Sequence, residues 1–327
     1  MSAAARAEHY SDFGEALTGK IAARYDINDA FALRGSIQNG FRAPSLQQQF
    51  FTATSTNFIN GVPFDITTFP ATSPVAAALG AKPLDSEKSV NYAAGAVIRL
   101  GQINVTVDAY RIKVKDRVVL SENLTQANVR AFLQSRGFVG IGGGRFFING
   151  VDTRTTGVDI IANYKMVTDD LGTLAFTVAA NFNQTKVTKT PVTAALAALT
   201  PAPVLFDRIN VLTFEDGSPN SKFSGSVDWT RGPLGATFRA TRYGEVLSPG
   251  TTAVNDLILK PRVVVDLEAR WDVRERVRLS LGADNVFDAY PTKTPPNLNT
   301  TSNTPFSNYS PFGRSGRYVY GRVAVTW

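Results

Sequence analysis

Asp266 and Glu268 stand two residues apart in the stretch "VVVDLEARW" (263–271). On one strand face, two carboxylates so spaced are compatible with the acid and base of a glycosidase. The same spacing arises in any polar strand face, and Arg270 beside them points to charge pairing. "FEDG" (214–217) brings Glu215 and Asp216 together, but calcium takes six or more oxygens, so a solvated loop is the better reading. "GIGGGR" (140–145) lacks the Gly-Lys-Ser/Thr ending of a phosphate loop and no helix pattern follows it; it reads as a flexible loop. "TGKI" (18–21) has the Gly-Lys without the following hydroxyl, which leaves Lys20 as a charge on a polar face. "GRSG" (313–316) falls short of a Gly-x-Ser-x-Gly elbow and precedes a strand pattern. His9 is the one histidine, and there is no cysteine. That removes disulfides, Cys-based metal or nucleophile sites and His-pair metal sites, and it leaves a Ser-His-Asp triad without a well-placed base. The expectation is no enzyme: no catalytic residue, no metal site and no cofactor.

The net charge is +7, with Lys and Arg scattered along the chain. A nucleic-acid stripe would be clustered, so no nucleic-acid partner is expected. No stretch approaches the ~20 apolar residues of a transmembrane helix, and the opening "MSAAARAEHYSDFG" lacks the apolar core of a signal peptide. Simple hydropathy would make this a soluble protein. That inference fails for β-barrels, whose strands are apolar on one side only.

The elements that would carry these residues are strands. In "VVVDLEARW", Val263, Val265, Leu267, Ala269 and Trp271 share one face, while Val264, Asp266, Glu268 and Arg270 share the other. The same period of two runs through 173–183 and 222–230. About eleven strands follow: 15–26, 30–42, 86–100, 102–118, 148–166, 172–187, 222–231, 234–246, 261–271, 276–287 and 316–327. Short turns rich in Asp, Asn, Gly and Pro alternate with long loops at 43–85, 119–147, 188–221, 247–260 and 288–315. This alternation is expected of an antiparallel up-and-down transmembrane β-barrel; a soluble sandwich would scatter its loop lengths.

The aromatic residues supply a second test. Strands descending to the short-turn side end their apolar faces on Tyr25, Leu100, Tyr164, Trp229, Trp271 and Trp327. Apart from Leu100, these form an interfacial aromatic girdle; the alternative is strand-end aromatics over an ordinary core. Phe41, Phe182 and Phe287 are candidates for the opposite girdle. The other face carries Lys20, Arg24, Arg34, Arg42, Asp108, Asp159, Asp228, Arg239, Asp266, Glu268, Arg270 and Arg322. So many charges suit a wet or plugged lumen and not a buried core.

Several stretches resemble one family in its own order. "GFRAPSL" (40–46), "EKSVNYAAGAVI" (87–98), "AYRIKVKDRV" (109–118), "TTGVDIIANY" (155–164), "GSPNSKFSGSVDW" (217–229), "NVFDAYP" (285–291) and the closing "GRYVYGRVAVTW" (316–327) are similar to barrel motifs of TonB-dependent outer-membrane receptors. The family ends most often in Phe, and this chain ends in Trp327. The resemblance implies a barrel of 22 strands behind a signal peptide, a TonB box and a plug domain. Residues 1–327 are read as the C-terminal part of such a barrel, with plug and signal peptide absent. It further implies a Gram-negative outer-membrane location and uptake of a scarce nutrient, most often an iron–siderophore complex. Its partners would be the TonB complex and plug, outer-membrane lipid, and the barrel-assembly machinery acting on the C-terminal strand. A passive porin or structural barrel shares the same physical features.

Ligand contacts are sought in the loops and lumen. Exposed loop aromatics need a reason, either ligand capture or packing of loops on one another. Phe50, Phe51, Phe147 and Tyr309 are the candidates, with Arg42 and Arg239 as cations that would attract an acidic chelate. In "NGFRAPSLQQQF" (39–50), Pro44 removes a ladder donor and holds Ala43 extended, so the strand should stop there, with Arg42 turned inward.

Overall fold

The computed structural model describes residues 1–11, 13–59, 61–299 and 304–326. Its spine is a path of twelve neighbouring antiparallel strands. In chain order these are β1 (Ser2–Tyr10), β2 (Gly14–Asp26) and β3 (Phe31–Arg42), interrupted by a hairpin of β4 (Ala53–Ile59) and β5 (Val62–Phe69). There follow β6 (Glu87–Leu100), β7 (Ile103–Leu120), β8 (Gly143–Thr168), β9 (Gly172–Lys189), β10 (Ser221–Arg231) and β11 (Leu234–Tyr243). A small ribbon, β12 (Val246–Ser248) and β13 (Leu257–Leu259), precedes β14 (Arg262–Arg274), β15 (Val277–Asp284) and β16 (Tyr318–Val325). Every spine strand pairs with its sequence neighbour, so the up-and-down meander read from periodicity is the fold. The sheet is not closed: among the described residues β1 pairs only with β2, and β16 only with β15.

The alternation of faces holds across the register. Ile21, Ile37 and Tyr92 line up on neighbouring strands, as do Val227, Phe238 and Leu267. Most of these apolar side chains are exposed, an outer face built for hydrocarbon. On the inner face Arg34, Gly95 and Asp108 line up, and the Arg34 Nε donates to Asp108 Oδ1 at 2.7 Å. Arg34 reaches a carboxylate two strands away because the strand between presents glycine. A Cβ at Gly95 would collide with the Asp108 carboxylate and lie 2.7 Å from the Val107 carbonyl oxygen. Gly235 does the same for Arg270, which crosses it to reach Thr237 Oγ1 at 3.0 Å and Asp228 Oδ1 at 2.7 Å. Gly282 lets the Tyr320 hydroxyl donate to Glu268 at 3.0 Å.

Two elements depart from the sequence reading. The loops are not structureless. Among the described residues they hold the β4–β5 hairpin and five α-helices: α1 (Leu46–Phe50), α2 (Pro74–Ala78), α3 (Ala127–Ser135), α4 (Ala194–Ala197) and α5 (Arg208–Asp216). And "GIGGGR" is no flexible loop: β8 begins at Gly143, where β5 pairs with it in parallel, Ile66 opposite Gly143 and Thr67 opposite Gly144. Side chains do not fit there. A Cβ at Gly143 would lie 2.6 Å from Thr125 Cγ2, and one at Gly144 2.9 Å from the Phe69 ring. The glycines serve close approach of backbones.

The inner-face glycines generate a prediction. In the intact receptor, Gly95→Ala lowers the denaturation midpoint of the folded barrel by an amount equivalent to about 1–3 kcal/mol. Gly225→Ala, where nothing lies within 4 Å of the new carbon, leaves the midpoint unchanged. Heat-dependent mobility of unboiled protein on gels reads the folded fraction.

Candidate functional site

The inner wall and the cap above its upper rim together form the candidate site. At the rim, Arg42 and Glu87 face each other in register across β3 and β6 and form an ion pair. Glu87 is buried, and it also accepts the Val118 amide at 2.9 Å. The strand stops after Arg42, as the Arg-Ala-Pro sequence requires. Ser45 then starts α1 with a reciprocal cap in which its hydroxyl accepts the Gln48 amide and Gln48 Oε1 accepts the Ser45 amide.

The cap has a core of its own. Leu79, Leu124, Val129, Leu133, Phe146, Val151, Leu196 and Phe206 are buried together. Phe147 packs partly buried against this cluster, opposite Leu120. Phe64 lies under the Arg130 guanidinium, 5.0 Å away. Phe306 stacks on Tyr290 and Phe312 on Tyr243. The Tyr309 hydroxyl shares a 2.7 Å hydrogen bond with Thr213 Oγ1, tying the last loop to α5. Phe50 and Phe51, at the end of α1, stay exposed at 62% and 41%. The expected loop aromatics thus divide between cap packing and exposed surface. "FEDG" is the end of α5, not a solvated loop, and Glu215 accepts the Val187 amide at 2.8 Å.

Arg239 lies lower, on β11, in register with Asp266. Asp266 accepts the Asn285 amide at 2.9 Å, Glu268 pairs with Arg322 and Asp228 with Arg270. Asp266 and Glu268 are therefore engaged separately, with Arg270 turned to a third acid. Among the described residues Arg239 has no carboxylate within 4.0 Å. It lines a cavity of ≈ 220 Å³ with Thr237, Asp266, Glu268, Asp284 and Arg322. A second cavity of ≈ 490 Å³ lies along Lys20, Arg24, Arg34 and Asp108. The six candidate residues thus spread from the cap through the rim to the wall.

In the cap, two carboxylates meet away from the wall. Glu122 accepts the Asp207 amide at 3.3 Å and the Asn210 side chain, and Asp207 caps α5 by accepting the Asn210 amide at 3.0 Å. Burial, and then the Asp207 charge, push the Glu122 carboxyl above its ordinary value. Asp256 is the opposite case. The Arg208 guanidinium, 2.6 Å away, and the Gly250 amide hold it down at about 2. Sequence reasoning missed these pairs because their members are distant in the chain. The signals that could have marked the helices nearby are the caps Ser45-x-x-Gln48, Ser73-Pro74 and Asp207-Arg208.

At the opposite ends of the strands, Tyr25, Tyr164, Trp229 and Trp271 each lie beside a short turn. Tyr164 stacks on Phe176 at 6.0 Å, and the Trp229 indole N–H donates to the Leu171 carbonyl at 2.6 Å. Trp229 is level with Met166, two residues beyond Tyr164, and Trp271 steps two further. A constant step per hairpin is the stagger of strands tilted in a barrel wall. Trp327 lies outside the described residues.

A family model described as "TonB dependent receptor-like, beta-barrel" matches residues 1–286. The chain belongs to the TonB-dependent receptor family. Among solved structures, the ferric enterobactin receptor of Pseudomonas aeruginosa aligns with a TM-score of 0.64 at 13% identity, over 99% of this chain and 42% of that one. The siderophore receptor PirA of Acinetobacter baumannii gives 0.62 at 14% identity, over 97% and 42%. The copper transporter OprC gives 0.58 at 15%, over 96% and 40%. At these identities the likeness concerns the fold, and the chain spans less than half the length of these structures. No curated protein matches in sequence.

The structure explains one stretch that resembled TonB-dependent receptors, "NVFDAYP". Asn285 and Asp288 adopt positive φ, 51° and 57°. The Asn285 side chain closes the turn on itself, donating to and accepting from Ala289 at 2.8 Å. Asp288 Oδ1 accepts the Arg317 amide at 2.8 Å, fastening the approach to β16 onto the top of β15.

Two predictions follow from the rim and cap. Arg42→Ala leaves buried Glu87 without its cation, a loss of about 1–3 kcal/mol; it reduces folded-barrel yield more than ligand affinity, and Glu87→Gln added to it restores part of the yield. The cap should also respond to pH. A raised folded-state value means that the Glu122 contribution is full below the unfolded value of 4.5 and lost as pH rises through the folded one. Glu122→Gln therefore slows hydrogen exchange of the α5 amides at neutral pH and leaves it unchanged near pH 4. Asp256 stabilises above its unfolded value of 3.8, and that support fades as pH falls toward about 2; Asp256→Asn speeds exchange at neutral pH.

Proposed function

We propose that this chain is the C-terminal barrel part of an outer-membrane receptor of a Gram-negative bacterium that takes up a scarce nutrient, an iron–siderophore complex, with energy from TonB. The observation that carries this reading is the family match over residues 1–286, on a sheet whose outer face is apolar and whose inner face is charged. The similarity to proteins titled as siderophore receptors supports the choice of ligand class. Backbone at a sheet edge cannot face hydrocarbon unpaired. The edges at β1 and β16 are therefore closed by further strands of the receptor, and a plug domain fills the lumen. The same reading makes outer-membrane lipid the surround and the barrel-assembly machinery the agent of insertion, working on the C-terminal strand.

In this reading, exposed Phe50 and Phe51 make first contact with the ligand. Tyr309 and Phe147 shape the cap around it. Arg239, with no carboxylate partner among the described residues, draws the acidic complex down the wall, and Arg42 holds the rim. Uptake of ⁵⁵Fe-loaded siderophores by cells carrying the intact receptor tests this. Uptake is saturable and abolished by deleting tonB, and Phe50→Ala with Phe51→Ala weakens binding about tenfold. Flux that persists without TonB would establish a passive pore instead.

A further inference from the structure

The outer face of the sheet should be apolar, yet on four neighbouring strands it turns cationic at one level. In register, Lys113 of β7, Arg154 of β8 and Lys186 of β9 stand side by side. Lys88 of β6 stands opposite Lys115, with Arg111 two residues below Lys113. All are exposed and alternate with inward neighbours: Glu87 paired to Arg42, Tyr110 bonded to Asn181, and half-buried Ile112 and Val114. Among the described residues none of these six cations has a carboxylate within 4.0 Å. The acids closest in sequence are engaged: Asp116 pairs with Lys189 at 3.5 Å, and Asp152 accepts the Asp116 amide at 2.9 Å.

Like charges directly opposite one another in a sheet destabilise it, and strands lie about 4.8 Å apart, so three cations sit within about 10 Å. An anion from outside would relieve that repulsion. The height of the cluster says where such an anion would lie. From Tyr164 in the aromatic row up β8 to Arg154 is about ten residues, or ~33 Å along the strand. At the ~40° tilt of barrel strands that is ~25 Å of height, the thickness of the apolar band. Directly below the cations the outer face offers exposed Ile37, Tyr92, Val178 and Phe182. On β3 the same registers carry uncharged Asn39 and Phe41, and the pairing of β10 with β9 begins at Phe182, below Lys186. The cluster is local to β6–β9.

We propose that Lys113, Arg154 and Lys186, flanked by Lys88, Arg111 and Lys115, form a binding site for the phosphate groups of a glycolipid in the outer leaflet, whose acyl chains lie on the apolar wall beneath. The inference rests on the outer-membrane placement proposed above, and its test reads lipid retention, not uptake. The intact receptor is purified in a non-ionic detergent, mixed with bis-phosphorylated lipid A, exchanged into fresh detergent, and weighed by native mass spectrometry. The wild-type barrel retains the lipid. Lys113→Gln/Arg154→Gln/Lys186→Gln loses affinity on the order of a hundredfold, while Lys113→Arg/Lys186→Arg keeps it. Dephosphorylated lipid is not retained, and inorganic phosphate does not displace the lipid. Equal retention by the glutamine variant in its folded, heat-mobile form would overturn the site. Equal retention of the dephosphorylated lipid would also overturn it, as would displacement by free phosphate. A receptor that retains lipid but transports no siderophore would overturn only the uptake reading.

Discussion

Every backbone N–H and C=O in a strand that faces hydrocarbon must be paired within the sheet, and the rest of this structure follows from that constraint. It imposes a continuous antiparallel ladder from β1 to β16, and the ladder imposes two faces with a period of two. The outer face takes apolar side chains. The inner face takes most of the charges of the wall, and many of these find partners across neighbouring strands. Where partners lie two strands apart, the intervening residue is glycine, as at Gly95 and Gly235. The charge pattern and the glycine pattern of the wall are thus one pattern.

Much of this was legible in the sequence because period-two alternation survives without tertiary information. The eleven strands, the short turns and the placement of Tyr25, Tyr164, Trp229 and Trp271 at strand ends read directly from residue order; the step from one aromatic to the next comes from the register. The polar-face assignment of Arg34, Asp108, Asp228 and Arg270 did too, although which acid meets which base depends on register and on the gap left by a glycine.

The cap was far less legible. Its helices are short and take their stability from a shared core, so no helix shows an amphipathic run long enough to stand out. Buried Phe146 and exposed Phe50 look alike in sequence; what separates them is whether Leu124, Leu133 and Leu196 converge on the ring. The Gly142–Gly144 run reads as slack when viewed alone. It is instead where β5 comes against β8, a contact between segments far apart in the chain. The Glu122–Asp207 pair is invisible for the same reason.

The register of β7 and β8 breaks just above the rim. Pairing shifts between Val114 and Arg117 and again at Val118, opposite Gly150 with φ 145° and beside Asp116 with φ 53°. Asn149 closes the gap by donating to the Asp116 and Asp85 carbonyls at 2.7 and 2.9 Å. Below this point a one-residue insertion would turn a whole strand inside out. Above it, the bulges have already separated strand parity from the wall. Extra or missing residues there are absorbed before they reach the membrane. Descendants of such a gene are therefore at liberty to lengthen, shorten or exchange the cap, and so to change what it recognises, without redrawing the barrel.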